Sequence, residues 1–356
     1  MFLLNANEDS FGLDISNGSL RLAQMQKKGK KIFLRAYNEI KLPKNCIVDG
    51  QIEDQKSFLL NFNKLIKTRM GHTRLSKQVV CSLPEAKTFL KHVTIEAYED
   101  CEIEEKIKEA IAQHLPLGIE EIYYDSQIVK INENKLDVLI GASPKKIVDS
   151  YMTVLEDSGF IPIILEVEAA SISRIVIELN GDVQPHIVID IGATWTGLFL
   201  YDENTIKFTI SLPISGDEIT SDIGKTIDLN TEQAEKAKIV CGLDRSKCDG
   251  AIFEIYNDKI NELCERIKKA IDFYNSSFNN AKKIQKITLC GGGANFLNIS
   301  ETLKSQLDIE VAISNPFAKI LNPNPKYFTR QVSQSYLVAL GLGLRGVMEN
   351  SIKKQK

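Results

Sequence analysis

The feature that most constrains the fold of this chain is a strand–turn–strand pattern that occurs twice. Residues 11–16 are largely apolar and contain Asp14, and a short polar turn separates them from a second apolar run. Residues 187–192 repeat the pattern around Asp190. Short polar turns between apolar runs are typical of β-hairpins. The two aspartates are 176 positions apart, a spacing that predicts a duplicated α/β domain rather than an array of short repeats.

The chemistry of the two turns predicts phosphate binding. A tight turn points successive backbone N–H groups into a concavity that accepts anionic oxygens. Asp14 and Asp190 stand at strand ends, where they could order the water shell of a Mg²⁺ ion, and Arg21 could reach a terminal phosphate. One such hairpin is more often a plain surface turn, but the second copy favours phosphate binding. The residues predicted to bind nucleotide through the turns are Asp14, Ser16, Asn17, Gly18, Ser19, Arg21, Asp190, Gly192, Ala193, Thr194 and Thr196.

A run of three glycines forms a second kind of candidate site. Gly291, Gly292 and Gly293 follow a predicted strand and precede a predicted helix. Without side chains, this backbone could lie against a flat base or ribose, with Asn295 beside it; the alternative is a strained turn. A dinucleotide-binding fingerprint fits poorly, because its third glycine position is occupied by Phe296.

Polar residues on two predicted helices have two interpretations each. Glu232, Glu235 and Lys238 share one helical face by their spacing. One interpretation is a solvated charged face. The other is a polar clamp on a ribose and base, and in that interpretation Glu235 and Lys238 bind nucleotide. Glu168 follows an apolar strand. It is either a catalytic residue that orients a hydrolytic water or an exposed carboxylate that suits the start of a helix.

Composition excludes several classes of protein. Lys plus Arg number 44 and Asp plus Glu number 47, so the net charge of −3 argues against a generally basic nucleic-acid binder. No apolar run approaches the roughly 20 residues that span a bilayer, and the first ten residues lack the basic start of a signal peptide. The seven cysteines form no CxxC pair and the four histidines are scattered, so a zinc site is not expected. We expect a reducing compartment, with most cysteines buried as small apolar residues.

In this order, the segments resemble the actin, Hsp70 and sugar-kinase superfamily. Its pattern is a first phosphate turn, a connecting helix, a second phosphate turn, an adenosine glycine motif and a second connecting helix. The matching segments of this chain are residues 14–21, 168–177, 190–196, 291–293 and 334–345. The resemblance implies an α/β actin-like ATPase fold, in which two duplicated α/β halves surround a nucleotide cleft and a small α+β subdomain is inserted.

Within that superfamily the chain is similar to the PilM family of actin-like type IV pilus assembly proteins, which is related to FtsA. The similarity covers nearly the whole chain and rests on the order and spacing of short segments. These are residues 80–84, 107–116, 124–129, 139–144, 158–159, 166–168, 232–238, 315–317 and 339–345. The implied subdomains are 1A (residues 1–75, 146–182 and 333–356), the partner-docking 1C (76–145), 2A (183–212 and 285–332) and the mostly helical 2B (213–284).

The resemblance also implies a function. The chain would be an ATP-binding cytoplasmic scaffold of the inner-membrane complex of type IV pilus assembly, with ATP and Mg²⁺ as ligands and slow or absent hydrolysis. A groove involving subdomain 1C would hold the N-terminal cytoplasmic peptide of a PilN-like membrane protein. This would place the chain at the inner membrane without a span of its own. Other partners would be PilO-like components and the assembly ATPase, and no nucleic acid is expected.

Two alternative functions share the fold. A small-molecule kinase of the superfamily would need a catalytic carboxylate beside a substrate hydroxyl, and no aspartate-led loop clearly supplies one. The other is a filament-forming ATPase like FtsA or MreB. FtsA is expected to carry a C-terminal amphipathic membrane helix, for which residues 351–356 are too short and polar. The sequence leaves open whether ATP is hydrolysed.

Three positions depart from the family pattern. Ser16 replaces the usual glycine of the first turn, Arg21 replaces the usual lysine, and Ser215 stands before Gly216 in place of a Gly-Gly pair. Gly216 is counted with the nucleotide-binding residues. A Cβ at Ser16 would cost ~1 kcal/mol if its φ had to be positive, and a guanidinium is not an equivalent point charge to an ammonium. We expect these changes to weaken phosphate handling rather than the fold.

Overall fold

The computed structural model describes residues 10–71, 74–96, 100–115, 117–132, 135–182, 184–278 and 281–353. The two ends of the predicted subdomain 1A, residues 1–9 and 354–356, lie outside the described residues. The strands are β1 (Phe11–Ser16), β2 (Ser19–Lys28), β3 (Lys31–Lys41), β4 (Ile47–Val48), β5 (Gln51–Ile52), β6 (Gln78–Leu83), β7 (Phe89–Glu96), β8 (Ile122–Asn132), β9 (Lys135–Pro144), β10 (Ile161–Val167), β11 (His186–Ile191), β12 (Thr196–Asp202), β13 (Thr205–Leu212), β14 (Lys286–Cys290), β15 (Glu310–Ile313) and β16 (Ile320–Leu321). The α-helices are α1 (Gln55–Lys67), α2 (Asp100–His114), α3 (Lys145–Asp157), α4 (Glu168–Ser173), α5 (Gly216–Ile227), α6 (Thr231–Cys241), α7 (Ala251–Ser277), α8 (Ile299–Leu307), α9 (Arg330–Ser335) and α10 (Leu337–Lys353).

The first sheet has the strand order β10-β6-β1-β2-β3-β16. β1, β2 and β3 follow one another in antiparallel hairpins, whereas β6 runs parallel to β1 and to β10. α10 packs against β1 so closely that Gly12 leaves no room for a Cβ beside the Gly343 backbone. On the side of α1 and α3, residues of β1 share a hydrophobic core with Phe58 and Phe62 of α1 and Tyr151 of α3. β1 is therefore buried along almost its whole length, as expected for a strand covered on both faces.

The second sheet repeats this arrangement. Its order is β15-β14-β11-β12-β13-β7-β9-β8, in which β11, β12 and β13 are antiparallel hairpins and β14 runs parallel to β11. The strands β15-β14-β11-β12-β13 thus correspond one by one to β10-β6-β1-β2-β3. This correspondence confirms the duplication that the two aspartate-led turns predicted.

The inserted unit extends the second sheet, although it interrupts the first half in sequence. β7, β8, β9 and α2 share a separate core around Ile111 and Val138. The pair Phe208↔Lys91 joins β7 to β13 at the edge of the second sheet. The inserted unit therefore connects the two halves instead of standing apart from them.

The start of the inserted unit differs from the predicted boundary at residue 76. β6 lies within the predicted subdomain 1C, yet it is a central strand of the first sheet, between β1 and β10. Every residue of β6 is buried, and Pro84 follows it directly. Because proline has no N–H for a further ladder bond, the chain leaves the first sheet after Leu83.

Helices α5, α6 and α7 pack together on the second half, where Tyr256 and Ile267 of α7 reach the core of that half. Among the helices in the described ranges, none combines the length and the apolar character needed to cross a membrane.

Most of the described cysteines behave as expected. Four are free and buried: Cys46, Cys81, Cys264 and Cys290. Cys241 and Cys248 instead form a disulfide at the end of α6, a pairing that the sequence did not predict.

Candidate functional site

The first predicted phosphate turn follows β1, and Asp14 lies two residues before the end of that strand. Asp14 is 3% exposed and faces Arg21 in the β1–β2 register. The Arg21 guanidinium donates to Asp14 Oδ2 at 3.1 Å and lies 2.9 Å from Glu39 Oε1. Burial raises the pKa of Asp14, and the neighbouring Arg21 charge opposes that rise. Arg21, predicted to reach a phosphate, is thus held between two carboxylates.

The serine in the first turn causes no backbone strain. Ser16, Asn17 and Gly18 all lie outside the positive-φ region, so the expected ~1 kcal/mol penalty for a Cβ at Ser16 does not arise. The Ser16 hydroxyl donates to Ser19 O at 3.1 Å, and Gly18 O accepts from the Leu42 N–H at 2.9 Å. Hydrogen bonds to the neighbouring strands therefore hold the turn in place.

The second turn, after β11, is held from two sides. Gly192 N–H donates to Trp195 O at 3.0 Å within the turn, and the Thr196 hydroxyl donates to Ile214 O at 2.6 Å. From the other side, Gly216 N–H donates to Gly192 O at 3.1 Å. The N-terminus of α5 therefore lies against the turn, which places Gly216 beside the predicted phosphate-binding residues.

The two turns face each other across one cleft. Asn17 Nδ2 in the first turn lies 3.4 Å from Thr194 Oγ1 in the second. Burial and the Asp14 carboxylate together raise the pKa of Asp190 to about 6. The structure thus brings together two turns that are far apart in the sequence.

Four carboxyl groups around this cleft, those of Asp14, Asp190, Glu168 and Glu85, are near enough to influence one another electrostatically. Glu168 is the first residue of α4, and burial, followed by Asp14, Asp190 and Glu85, raises its pKa well above the usual value. Burial also raises the pKa of Glu85 to about 7, with Asp190 adding to the effect. Carboxylates that raise one another's pKa in this way form a site where a cation would relieve the repulsion.

The donor set of the cleft fits a hydrated magnesium ion. Within the described part of the chain, no three histidine, cysteine, aspartate or glutamate side chains converge closely enough to hold a metal. Mg²⁺ keeps several waters and is usually held by one or two carboxylates together with phosphate oxygens. Asp14 and Asp190 offer oxygen ligands and excess negative charge, so they suit an ion bound through its water shell.

The three glycines after β14 serve different purposes. Gly291 has a φ of +76°, and a Cβ there would collide with Asp190 Oδ1 and lie 2.6 Å from Ile191 O. A Cβ at Gly293 would collide with the Ile191 side chain. Gly292, in contrast, is exposed and has nothing within 4 Å of its Cβ position. Gly291 and Gly293 therefore let the loop pack on β11, and Gly292 offers open backbone to a flat ligand.

Two other predicted residues flank these loops. Asn295 ends the 3₁₀ turn Gly292–Asn295, and its Nδ2 donates to Gly292 O at 3.2 Å. Ala193 O accepts from the Asp217 N–H at 2.9 Å, in the first turn of α5. Both residues lie beside the candidate site and stabilise its backbone.

Lys238 is buried and bonds to groups on neighbouring elements, so it is not part of a solvated charged face. It is 4% exposed, and its Nζ donates to Gly216 O at 2.9 Å and to Thr220 Oγ1 at 2.7 Å. It also lies 2.6 Å from Glu235 Oε2 and 5.6 Å from the centre of the Phe296 ring. These bonds fix α5, α6 and the segment after the glycines to one another on one side of the cleft. Nucleotide binding by Glu235 and Lys238 stays a prediction.

Three residues of the site were not predicted from the sequence: Ser82, Glu85 and Thr220. Ser82 Oγ accepts from the Ile15 N–H at 3.1 Å, and Glu85 Oε2 accepts from the Ala169 N–H at 3.2 Å. A signal for the first two existed, because polar residues at the carboxyl ends of neighbouring parallel strands meet at the ligand-binding edge. Thr220 gave no such signal, since its role depends on how α5 and α6 pack.

A groove separates the inserted unit from the first half. It encloses about 320 Å³ between β6, β8, β9 and β10. Tyr123 stands 48% exposed among the lining residues, with the Lys145 ammonium 5.4 Å from its ring centre. Apolar lining residues include Leu83, Leu90, Leu139, Leu165 and Val167. The groove is thus lined mainly by apolar side chains and includes an exposed aromatic residue.

Comparison with known proteins agrees with this architecture. Residues 12–347 match the family described as "Type IV pilus assembly protein PilM". The chain resembles the solved PilM-PilN type IV pilus biogenesis complex with a TM-score of 0.79 and 21% identity, covering 96% of this chain and 99% of that one. It also resembles MreB 5 of Spiroplasma citri bound to AMPPNP, with a TM-score of 0.53 and 16% identity over 98% of each chain. These likenesses confirm the predicted actin-like α/β fold.

A sequence relative points to the same branch of the superfamily. Cell division protein FtsA from Buchnera aphidicola subsp. Baizongia pistaciae is 26% identical over 160 residues. The alignment spans 38% of this chain and 38% of that protein. The chain therefore matches less than two fifths of the length of this curated relative.

Proposed function

The chain belongs to the family of type IV pilus assembly proteins PilM, and we propose that it is an ATP-binding scaffold that docks the N-terminal cytoplasmic peptide of a PilN-like membrane protein. The nucleotide part of the proposal rests on one contact above all. Asn17 and Thr194 lie 3.4 Å apart, so two turns of phosphate-binding type share one cleft. The peptide part rests on the groove beside the inserted unit.

In this proposal the two turns hold the phosphates of ATP with their backbone N–H groups and with the hydroxyl of Thr194, which is exposed. A bound Mg²⁺ would neutralise phosphate charge, with Asp14 and Asp190 ordering its water shell. The open backbone at Gly292 would face the base or ribose. The structural neighbour MreB 5 was solved with AMPPNP, which supports a nucleotide as the ligand of the cleft.

The proposal includes slow hydrolysis at most. Glu168 is the candidate for orienting a water molecule, but its pKa is raised well above the usual value by burial and by the neighbouring carboxylates. A protonated carboxyl group cannot accept a proton from water. Burial and the neighbouring carboxylates thus disfavour the ionised form that a general base needs, and we accordingly propose slow hydrolysis.

The groove suits an extended apolar peptide. Its walls include strands β8 and β9 of the inserted unit and the end of β10 in the first half, with Leu139 and Leu165 among the apolar lining residues. Peptides of this kind are held by backbone pairing and by pockets for alternate side chains. A structural neighbour is a PilM-PilN complex, which supports a PilN-like peptide as the occupant. Docking would bring the chain to the inner membrane, beside PilO-like components and the assembly ATPase.

Gly141 lines the groove and has room for a Cβ. The nearest atom to that Cβ would be Leu90 Cδ1 at 3.7 Å, an ordinary contact, so we choose Gly141→Phe to add a bulky ring at the wall of the groove. The matched control is Ile131→Phe, because Ile131 is 66% exposed on β8 and does not line the groove. The probe is a fluorescein-labelled synthetic peptide of the N-terminal cytoplasmic segment of the cognate PilN-like protein.

We expect Gly141→Phe to weaken peptide binding about tenfold or more, equivalent to about 1.4 kcal/mol, as measured by fluorescence anisotropy. Ile131→Phe should bind like the wild type. Equal affinity of Gly141→Phe and the wild type would exclude this groove as the docking site. Calorimetric titration with Mg·ATP tests the nucleotide part, and absence of binding would refute it.

A further inference from the structure

Glu85 stands where the chain passes from the first half into the inserted unit. It begins the 3₁₀ turn Glu85–Lys87 between β6 and β7. Its side chain extends towards the second sheet, since its Cγ lies 3.8 Å from the Cβ position of Gly197 on β12. The proposed binding of ATP and peptide assigns no role to this half-buried residue.

The Glu85 carboxylate caps a helix from outside that helix. Val167, at the N-cap position of α4, provides no side-chain hydrogen bond, whereas Glu85 Oε2 accepts from the Ala169 N–H at 3.2 Å. The first N–H groups of a helix have no partners within it, and a carboxylate there also suits the helix dipole. Glu168 is the first residue of α4, so Glu85 holds the backbone directly after Glu168.

The same carboxylate reaches the other half of the molecule. The Thr209 side chain interacts with the carboxylate and opposes the rise in the pKa of Glu85 that burial causes, and Thr209 belongs to β13 of the second sheet. Glu85 thus bonds to α4 of the first half and lies against β12 of the second half, from the turn that leads into the inserted unit.

The groove and the cleft share walls at this point. Leu83 and Thr88, on either side of the Glu85–Lys87 turn, line the groove. Val167 and Ala170, around the start of α4, line it as well. A ligand that displaces this wall therefore displaces the cap of α4 or α4 itself, and with it Glu168.

We propose that Glu85 is a positioning residue through which occupation of the groove changes the affinity of the cleft for nucleotide. The inference rests on the proposed function, because it needs one ligand in each site. Linkage requires the reverse effect to be equal, so bound nucleotide must change the affinity for the peptide by the same factor. A ligand produces such coupling only when it binds one arrangement of the protein better than the other.

The test is a thermodynamic cycle with two ligands. The dissociation constant of the labelled PilN-like peptide is measured with and without saturating Mg·AMPPNP, for the wild type, Glu85→Ala, Glu85→Gln and Thr209→Val. Thr209→Val removes the hydroxyl and keeps the side-chain shape, so it tests the link even if Glu85→Ala fails to fold. Lys87→Ala is the matched control, since its side chain is 38% exposed in the same turn.

We expect the two dissociation constants of the wild type and of Lys87→Ala to differ by about fivefold or more, within the usual range of allosteric coupling. In Glu85→Ala and Thr209→Val the ratio should fall to within about twofold of one. Glu85→Gln keeps an acceptor oxygen for Ala169 and should retain more coupling than Glu85→Ala.

Two results would overturn the role of Glu85: a wild-type ratio of one, or an unchanged ratio in both Glu85→Ala and Thr209→Val. A wild-type protein that binds neither peptide nor nucleotide would instead refute the proposed function, and this inference with it. The two failures are therefore distinguishable.

Discussion

Asn17 and Thr194 meet across the cleft, with Asn17 Nδ2 3.4 Å from Thr194 Oγ1, although the two residues are 177 positions apart in the sequence. Each belongs to a turn that follows an aspartate-bearing central strand. An anion held by the N–H groups of one turn is thus within reach of polar side chains from the other. This is the geometry that the first two predictions test.

We expect Asp190→Asn to lower the affinity for Mg·ATP about tenfold or more. The substitution removes one of the two carboxylates proposed to order the water shell of the ion. Asp190 is the better choice because Arg21 forms an ion pair with Asp14, whose loss would complicate the result. Calorimetry in excess Mg²⁺, and again with EDTA, measures the effect. Asp157→Asn, exposed at the end of α3, is the control, and wild-type affinity in Asp190→Asn would contradict the assignment.

We expect Mg·ATP to change the fluorescence of Trp195. This residue is the single tryptophan of the chain, it is 43% exposed, and it lies in the second turn, where Trp195 O accepts from the Gly192 N–H. A ligand bound to that turn alters the surroundings of the indole ring. A titration should give a saturable change with the calorimetric dissociation constant, whereas no change at saturating Mg·ATP would place the phosphates elsewhere.

We expect Gly291→Ala to destabilise the protein by about 3 kcal/mol and Gly292→Ala to have an effect within about 0.5 kcal/mol. Gly291 has positive φ, and its added Cβ would collide with Asp190 Oδ1, whereas the Cβ position of Gly292 is open. Urea unfolding of the two variants measures the difference. Similar stability of the two variants would show that the loop does not pack on β11 as described.

We expect the free energy of unfolding to depend on pH through His186. Burial, together with the Lys286 charge, lowers the pKa of His186 to about 4, from a usual value of 6.5. The unfolded chain therefore binds the proton more readily, so this contribution to stability is complete above pH 6.5 and is lost as the pH falls towards 4. The loss between pH 7 and pH 5 amounts to about 2 kcal/mol.

His186→Gln should remove that part of the pH dependence, because glutamine does not titrate and can still bond to Thr288, which lies 2.6 Å from His186 Nε2. Urea unfolding at pH 7 and pH 5 provides the comparison. His114→Gln, at an exposed position, is the comparison variant. Partial burial and the Lys91 charge also lower the pKa of His114, but less than that of His186, so His114→Gln should remove a smaller part of the pH dependence. The same slope in His186→Gln and the wild type would mean that His186 does not titrate as described.

The sequence by itself determined the duplicated hairpins and the place of the glycine motif. Hairpin turns depend on a few neighbouring residues, so the patterns around Asp14 and Asp190 were readable without tertiary contacts. The actin-like fold followed from the order and spacing of such local motifs. The same local character explains why Gly291 was recognised as a loop glycine although its reason, the close approach of Asp190, was not visible.

Tertiary structure alone decided which side chains share the cleft and the groove. Glu85 reaches Ala169, 84 positions away, and Lys238 reaches Gly216, 22 positions away; neither bond has a local pattern. The inserted unit joins the second sheet through Phe208 and Lys91, against its position in the first half of the sequence. Long-range pairing of this kind depends on the shape and burial of surfaces that form only when the chain folds. No local pattern of residues therefore predicts it.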